Sequence, residues 1–223
     1  MAWYNSIFGF FSEKVVYRTG SQFNPILEVV ESGNHLQLDT PHVNYSFGEL
    51  HRSFQQLFRK MDIVKVDPKS VLILGFGAGS IASILQNEYK LSCTITGVEI
   101  DPEVIALGRR FFETYAFIDL TIKEVDAFLY MEKNHGKFDL VVVDLYLDME
   151  VPLQAETLDF AVKLKDALTK NGQLVFNKFV YNNATGQSAD QLSKLLYEIF
   201  GNVKIYKTGH DRMNRMIVCK NVV

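Results

Sequence analysis

A chain of 223 residues, 48% hydrophobic and 22% charged, can bury one substantial core with a small appendage, and is too short for two full domains. A formal charge of −3 and a pI near 6.0 give no general attraction to phosphate backbones, so nucleic acid is not expected as a partner. The two cysteines, Cys93 and Cys219, lie in apolar runs without zinc-ligand spacing; they read as buried free thiols of a cytoplasmic protein, with no metal expected.

The opening stretch, MAWYNSIFGFFSEK, is apolar and aromatic, lacks a charged leader and cleavage site, and is too short to span a bilayer, so no membrane association is expected. It reads as an amphipathic segment docked on the domain or on a partner subunit, which leaves room for a homodimer. Next come KVVYRTG, ILEVVES and HLQLDT, short alternating runs separated by Gly, Asn and Pro, which predict a small antiparallel meander. Residues 1–45 are therefore expected to form an N-terminal unit and 46–223 the main domain. Ser46 and Glu49 have the spacing of a capping box, predicting a helix FGELHRSFQQLFRKM that stops before Asp67-Pro68.

From residue 71 onward, apolar runs alternate with helix-length segments: VLIL at 71, TITGVEI at 94, LTIK at 120, LVVVDLY at 140 and QLVFN at 173. That alternation predicts βαβ units and a parallel sheet covered on both faces. Asp101-Pro102 predicts a capped helix start, running to about Tyr115. Leu158, Ala161, Val162 and Leu164 predict one stripe of a helix from about Gln154 to Lys170, stopped by Asn171-Gly172. Ser188 and Gln191 predict the capping box of a further helix ended by Gly201, and two closing strands must pair antiparallel. The fold class is therefore α/β: a Rossmann-like, mostly parallel seven-stranded sheet with a C-terminal antiparallel hairpin, preceded by the meander.

The first strand ends in GFGAG, with Gly75, Gly77 and Gly79 flanking Phe76 and Ala78. Glycines there permit a sharp turn and bring backbone N–H groups close to a ligand. Glu99 ends the next strand, 24 residues after Gly75, where adjacent strand ends lie side by side and a carboxylate accepts bonds from ribose hydroxyls. A dinucleotide loop keeps a glycine or alanine three residues after its second glycine; here that position is Ser80, which favours a ligand without pyrophosphate. Asp126-Ala127 follows the third strand, placed to accept from an adenine amino group and to leave space for the ring; Asp144 ends the fourth strand beside the glycine loop.

VLILGFGAG, VEIDPEVI, DAFLY before KFDLVVVD, and LTKNGQLVFN together resemble the class I S-adenosylmethionine-dependent methyltransferases, and among them most closely the spermidine synthase (polyamine aminopropyltransferase) family. The resemblance covers about residues 25 to 220, with LQLDT and SFGELHRSF similar to a shortened β-domain and first helix. It implies that Gly75, Gly77 and Gly79, with Phe76 and Ala78 between them, cradle the methionine-derived part of the cofactor. Glu99 with Ile100 would hold the ribose, Asp126 and Ala127 would meet the adenine, and Asp144 would act at the reacting amine.

Three departures from the family pattern stand out. The loop acid of the synthases is replaced by Ala78, the second acid of the fourth-strand motif by Leu147, and the binding-loop glutamine has only Asn44 nearby. An acid in the loop attracts the ammonium-tipped propyl arm of decarboxylated S-adenosylmethionine and repels the carboxylate of the intact cofactor; with Ala78 the intact cofactor becomes admissible. The leading expectation is accordingly an S-adenosylmethionine-dependent methyltransferase acting on a small-molecule acceptor such as an amine. Asp144 is its base, Tyr146 and Asp148 shape the acceptor pocket, and Asn44 and His51 complete the acceptor site. One alternative is an aminopropyltransferase using decarboxylated S-adenosylmethionine, its diamine held by Asp148, Glu150 or Asp39; the other is a non-catalytic adenosyl-binding assembly protein. His35, His42, His51, His135 and His210 share no metal-ligand spacing; His42 and His51 flank the helix expected to cover the site.

Overall fold

The computed structural model describes residues 13–41, 44–133, 136–146, 151–209 and 213–222, without the Tyr115 side chain. In chain order, strands β1 (Lys14–Thr19), β2 (Leu27–Ser32), β3 (His35–Asp39) and β4 (Asn44–Ser46) lead into helices α1 (Gly48–Met61) and α2 (Ile63–Val66). Strand β5 (Ser70–Leu74) feeds α3 (Ser80–Ser83), which continues as a π turn, and β6 (Thr94–Glu99) feeds α4 (Pro102–Phe111). Strand β7 (Leu120–Glu124) is followed by α5 (Ala127–Lys133), and β8 (Phe138–Val143) by α6 (Leu158–Asp166). Strand β9 (Leu168–Phe179), α7 (Asn183–Phe200), β10 (Lys204–Thr208) and β11 (Asn214–Lys220) complete the chain.

The first four strands form an antiparallel sheet in sequential order, with β4 extending the three predicted strands. The other seven form one sheet in the order β10-β11-β9-β8-β5-β6-β7, in which β7, β6, β5, β8 and β9 run parallel and β11 and β10 antiparallel. The order reverses between β5 and β8, the switch point at which open α/β sheets hold ligands. The period-2 alternation within β5 divides the core: Leu72 and Leu74 pack on the face covered by α6 and α7, whereas Val71 and Ile73 pack with Phe54, Leu57 and Phe58 of α1. A third apolar cluster joins the N-terminal sheet to α4 through Leu27, Val29, Leu38, Val104 and Leu107. Cys93 and Cys219 are buried free thiols, and burial pushes the Cys219 thiol up to about 12. No helix among the described residues is long and apolar enough to cross a membrane.

Several helix boundaries differ from the sequence expectation, each for a local reason. Ser46 does not cap α1: it belongs to β4, and Phe47, at φ 63 and ψ −159, occupies the N-cap without a side-chain bond. The helix also stops at Asp62, whose φ of 54 breaks it before the short α2. Helix α4 ends at Phe111, short of Tyr115, though Asp101 caps it as predicted. Thr157 caps α6, so the helix buries Phe160, Ala161 and Leu164 and turns Leu158 and Val162 outward. Asn171-Gly172 does not end α6: Leu168 already pairs with Phe138, and the two residues form an irregularity inside β9, with Asn171 at φ 67. Asn182 and Thr185, not Ser188 and Gln191, make the capping box of α7.

Candidate functional site

Position 75 begins the site because only glycine fits there. Its φ is 83, and a Cβ would stand 2.1 Å from the Asp144 carbonyl oxygen. The turn thus lays the glycine loop against the end of β8, and the Asp144 N–H donates to the Leu74 carbonyl at 2.8 Å.

Glu99 is 3% exposed and accepts three backbone N–H groups: Ile100 at 2.9 Å and Asp101 at 3.1 Å on Oε1, Gly77 at 2.9 Å on Oε2. Burial raises its pKa, the Gly77 and Asp101 N–H bonds oppose that, and the Asp101 charge reinforces it. A carboxylate offers about four acceptor positions, so three protein donors leave one for a ligand hydroxyl. The Ser46 hydroxyl accepts the Ala78 N–H at 3.2 Å, and Gly79 donates to the Phe76 carbonyl. Gly75 and Phe76 both donate to the Val98 carbonyl. The loop amides are therefore satisfied within the chain.

Ala78 does not line the cleft. Its methyl is fully buried in the cluster that joins Leu27, Val29 and Leu38 to α4, so an acid here would meet apolar side chains of the N-terminal sheet. The position to which the sequence reading assigned the selection of a cofactor's charge is thus not among the residues of the cleft.

A cleft of about 250 Å³ opens over the loop, between β4, α1 and the ends of β8, β9 and β11. Glu49, Glu99 and Asp144 present carboxylates to it, Tyr45 and Tyr146 phenols, and Asn44, Asn177 and Asn214 amides. Leu50, Phe76, Ile81, Phe179 and Met213 supply apolar walls, and no Lys or Arg is present among the described lining residues. Burial raises the Asp144 carboxyl from 3.8 to about 7; the amide of Asn177, donating at 2.9 Å, pulls the other way, and the Glu99 charge adds to the rise. Tyr146 donates its hydroxyl to the Asn177 carbonyl at 3.1 Å, and burial, then the Asp144 charge, raises its pKa far above the phenol range. Tyr45 is raised likewise by burial, with Glu99 and Asp101 next.

Of the residues singled out from sequence, Gly75, Phe76, Gly77, Glu99, Asp144, Tyr146 and Asn44 meet at this cleft. Asn44 donates to Asp39 at 2.7 Å and accepts the Leu50 N–H at 3.0 Å. His51 stands behind the wall, within 2.8 Å of the Ser80 hydroxyl, stacked on Phe47, which in turn stacks on Phe112. Val125 donates to the Glu99 carbonyl at 3.0 Å, which sets Asp126 beside that acid. Asp126 Oδ1 caps α5 through the Phe128 and Leu129 N–H groups, Ala127 packs in the core, and Ile100 is 36% exposed; none of these three lines the cleft. Leu147, Asp148 and Glu150, with His42, His135 and His210, lie outside the described residues. Sequence reasoning missed Glu49, Asn177 and Asn214. A lone Asn in a strand carries no pattern of its own, and only the β11–β9 pairing brings residues 177 and 214 together.

A family model described as "Methyltransferase domain" matches residues 65–216. A probable polyamine aminopropyl transferase of Bifidobacterium longum is 32% identical over 133 residues, covering 60% of this chain and 29% of the relative. A spermine synthase of Saccharomyces cerevisiae is 33% identical over 179 residues, covering 73% of this chain and 58% of the relative. The chain thus spans less than two thirds of the length of these curated relatives. Among solved structures, spermidine synthase from Thermotoga maritima superposes with a TM-score of 0.71 at 17% identity, covering 93% of this chain and 72% of that one.

Proposed function

The chain belongs to the methyltransferase domain family, on a spermidine-synthase-like scaffold, and from that premise we propose that it transfers the aminopropyl group of decarboxylated S-adenosylmethionine to an amine. The observation that carries this reading is the charge of the cleft: three carboxylates and no cation among its described lining residues. A substrate carboxylate buried beside Glu99 and Asp144 would lose its hydration without gaining a partner, which disfavours the intact cofactor. The loop amides, already bonded to Glu99, Ser46 and the Phe76 and Val98 carbonyls, provide no substitute. An ammonium group and an amine acceptor meet complementary charge instead. The names of the curated relatives support the same choice over the methyl transfer expected from Ala78.

In this reading the turn at Gly75–Gly77, with Glu99, holds the sulfonium-bearing nucleoside, and its adenine extends beyond the cleft toward Asp126, next along the sheet from Glu99. The sulfonium is already activated, so the chain's work is alignment and proton removal. The amine nitrogen attacks the propyl carbon next to sulfur, the carbon–sulfur bond breaks with its electrons left on a neutral thioether, and the surplus proton on nitrogen passes to Asp144. Asp144 has the matched affinity, titrating at about 7. Tyr146, a neutral phenol here, walls the acceptor side, and Asn44 with the Glu49 carboxylate faces it across the cleft.

Calorimetry with the two cofactor forms, followed by product analysis with putrescine, tests the reading. The expected result is at least tenfold tighter binding of the decarboxylated form and formation of an aminopropylated amine. Equal or tighter binding of intact S-adenosylmethionine with a methylated product overturns it in favour of methyl transfer, and binding without any turnover in favour of an assembly role.

A further inference from the structure

We infer that Asn177 is a positioning residue for Asp144, and that Asn214 and Ser53 back its amide in a hydrogen-bonded line that ends on that carboxylate. Asn177 is fully buried in β9, and its amide Nδ2 donates to Asp144 Oδ1 at 2.9 Å. A side-chain amide is nearly symmetric in shape, and turned over it would set its own oxygen against the carboxylate. An ionised Asp144, which only accepts, requires the observed way round, and the residues behind Asn177 match it. Asn214 Nδ2 donates to Asn177 Oδ1 at 3.1 Å, and the Ser53 hydroxyl donates to Asn214 Oδ1 at 3.1 Å. Each amide is thus oriented the same way, in a line that runs from α1 through β11 and β9 to the end of β8. The Tyr146 hydroxyl holds the Asn177 backbone from a second side. Gly209, at φ 79, keeps the line open: a Cβ there would lie 2.6 Å from Asn214 Oδ1 and 2.7 Å from the Ser53 oxygen.

The line has a function to serve because the surroundings of Asp144 otherwise oppose its charge. Burial opposes it most and the Glu99 charge at the end of β6 adds to that, while Glu49 of α1 lines the same cleft and Tyr45 and Tyr146 face it as neutral phenols. A donor aimed at the ionised form holds it in a range where it can take a proton from an ammonium near neutral pH and also release it. Successive donors polarise one another, so the outer members of the line matter as well as the inner one.

The inference rests on Asp144 as the base of the proposed transfer, so its primary test is independent of turnover. Carbon-13 NMR of carboxyl-labelled aspartate in the free protein, with the Asp144 signal assigned through Asp144→Asn, reads the titration directly in wild type, Asn177→Leu, Asn214→Leu and Ser53→Ala. Asn177→Leu is expected to raise the proton affinity of Asp144 at least tenfold, and Asn214→Leu and Ser53→Ala to raise it in the same direction by less. An unchanged titration in a folded Asn177→Leu protein, or in folded Asn214→Leu and Ser53→Ala proteins, overturns the inference. Because residue 177 is buried, the two outer variants decide the matter should Asn177→Leu fail to fold. The acid limb of kcat/KM should move by the same factor; shifted titrations without any transfer would uphold the line while overturning the proposed activity.

Discussion

Glu99, at the end of β6, accepts the N–H of Gly77 at 2.9 Å, so the acid closing one strand also braces the loop closing its neighbour. The loop and the Glu99 carboxylate therefore form one unit before a ligand arrives, which lowers the ordering cost of binding.

Replacement of Glu99 by Gln tests the role of that unit in ligand binding. It removes the charge that strengthens bonds from ribose hydroxyls, and charge-assisted bonds contribute about 1.5–3 kcal/mol. Affinity for 5′-methylthioadenosine should fall about tenfold or more by calorimetry. Unchanged affinity would mean that Glu99 does not touch the ribose.

The raised titration of Asp144 has a consequence for stability. From 3.8 to about 7 the unfolded carboxyl has lost its proton while the folded one keeps it, so this group's contribution declines as pH rises through that window. Above it the buried charge costs about 2–4 kcal/mol. Asp144→Asn should raise Tm by several degrees at pH 8 and change it little near pH 4, while abolishing transfer. Equal thermal shifts at both pH values would contradict the burial of a charge here.

The same titration sets the rate profile. With the ionised carboxyl as base, kcat/KM should climb tenfold per pH unit below about 7 and level off above it. A profile flat between pH 5.5 and 8 would exclude Asp144 as the base.

Glu49 is part of the cleft and pairs at its outer edge with Arg52. Glu49→Gln is expected to raise the KM of a diamine about five- to tenfold with little change in kcat, since a half-exposed carboxylate contributes about 1 kcal/mol. A reduced kcat at unchanged KM would move Glu49 from acceptor binding to the chemistry.

Gly75→Ala combines a positive φ with a Cβ 2.1 Å from the Asp144 carbonyl oxygen. It should destabilise the protein by about 3 kcal/mol or more, measured by urea unfolding, and displace Asp144 from the loop. A loss under 1 kcal/mol would show that the turn has room to relax.

Much of this architecture was legible from residue order. Strands β5 and β8, at the centre of the sheet, are nearly uninterrupted apolar runs, as strands covered on both faces must be, and the glycine turn with its downstream acid depends on spacing along one βαβ unit. Gly75, Glu99 and Asp144 could be located for that reason. Helix ends were read less well where two capping patterns competed, because Ser46 and Ser188 find tertiary partners, the Ala78 N–H and the Glu156 carboxylate, in place of their own helix starts.

Tertiary structure decided what these residues face. Ala78 reads in sequence as the position that selects the cofactor; packing turns its methyl into the apolar seam with the N-terminal sheet, and the charge of the cleft is set by Glu49, Glu99 and Asp144, which lie on α1, β6 and the segment after β8. The line from Ser53 to Asp144 joins residues up to 161 positions apart. Local propensity and period act over a few residues and specify elements and turns; the direction of a side chain, and the partner that fixes an amide's orientation, depend on strand register and on which helix covers which face.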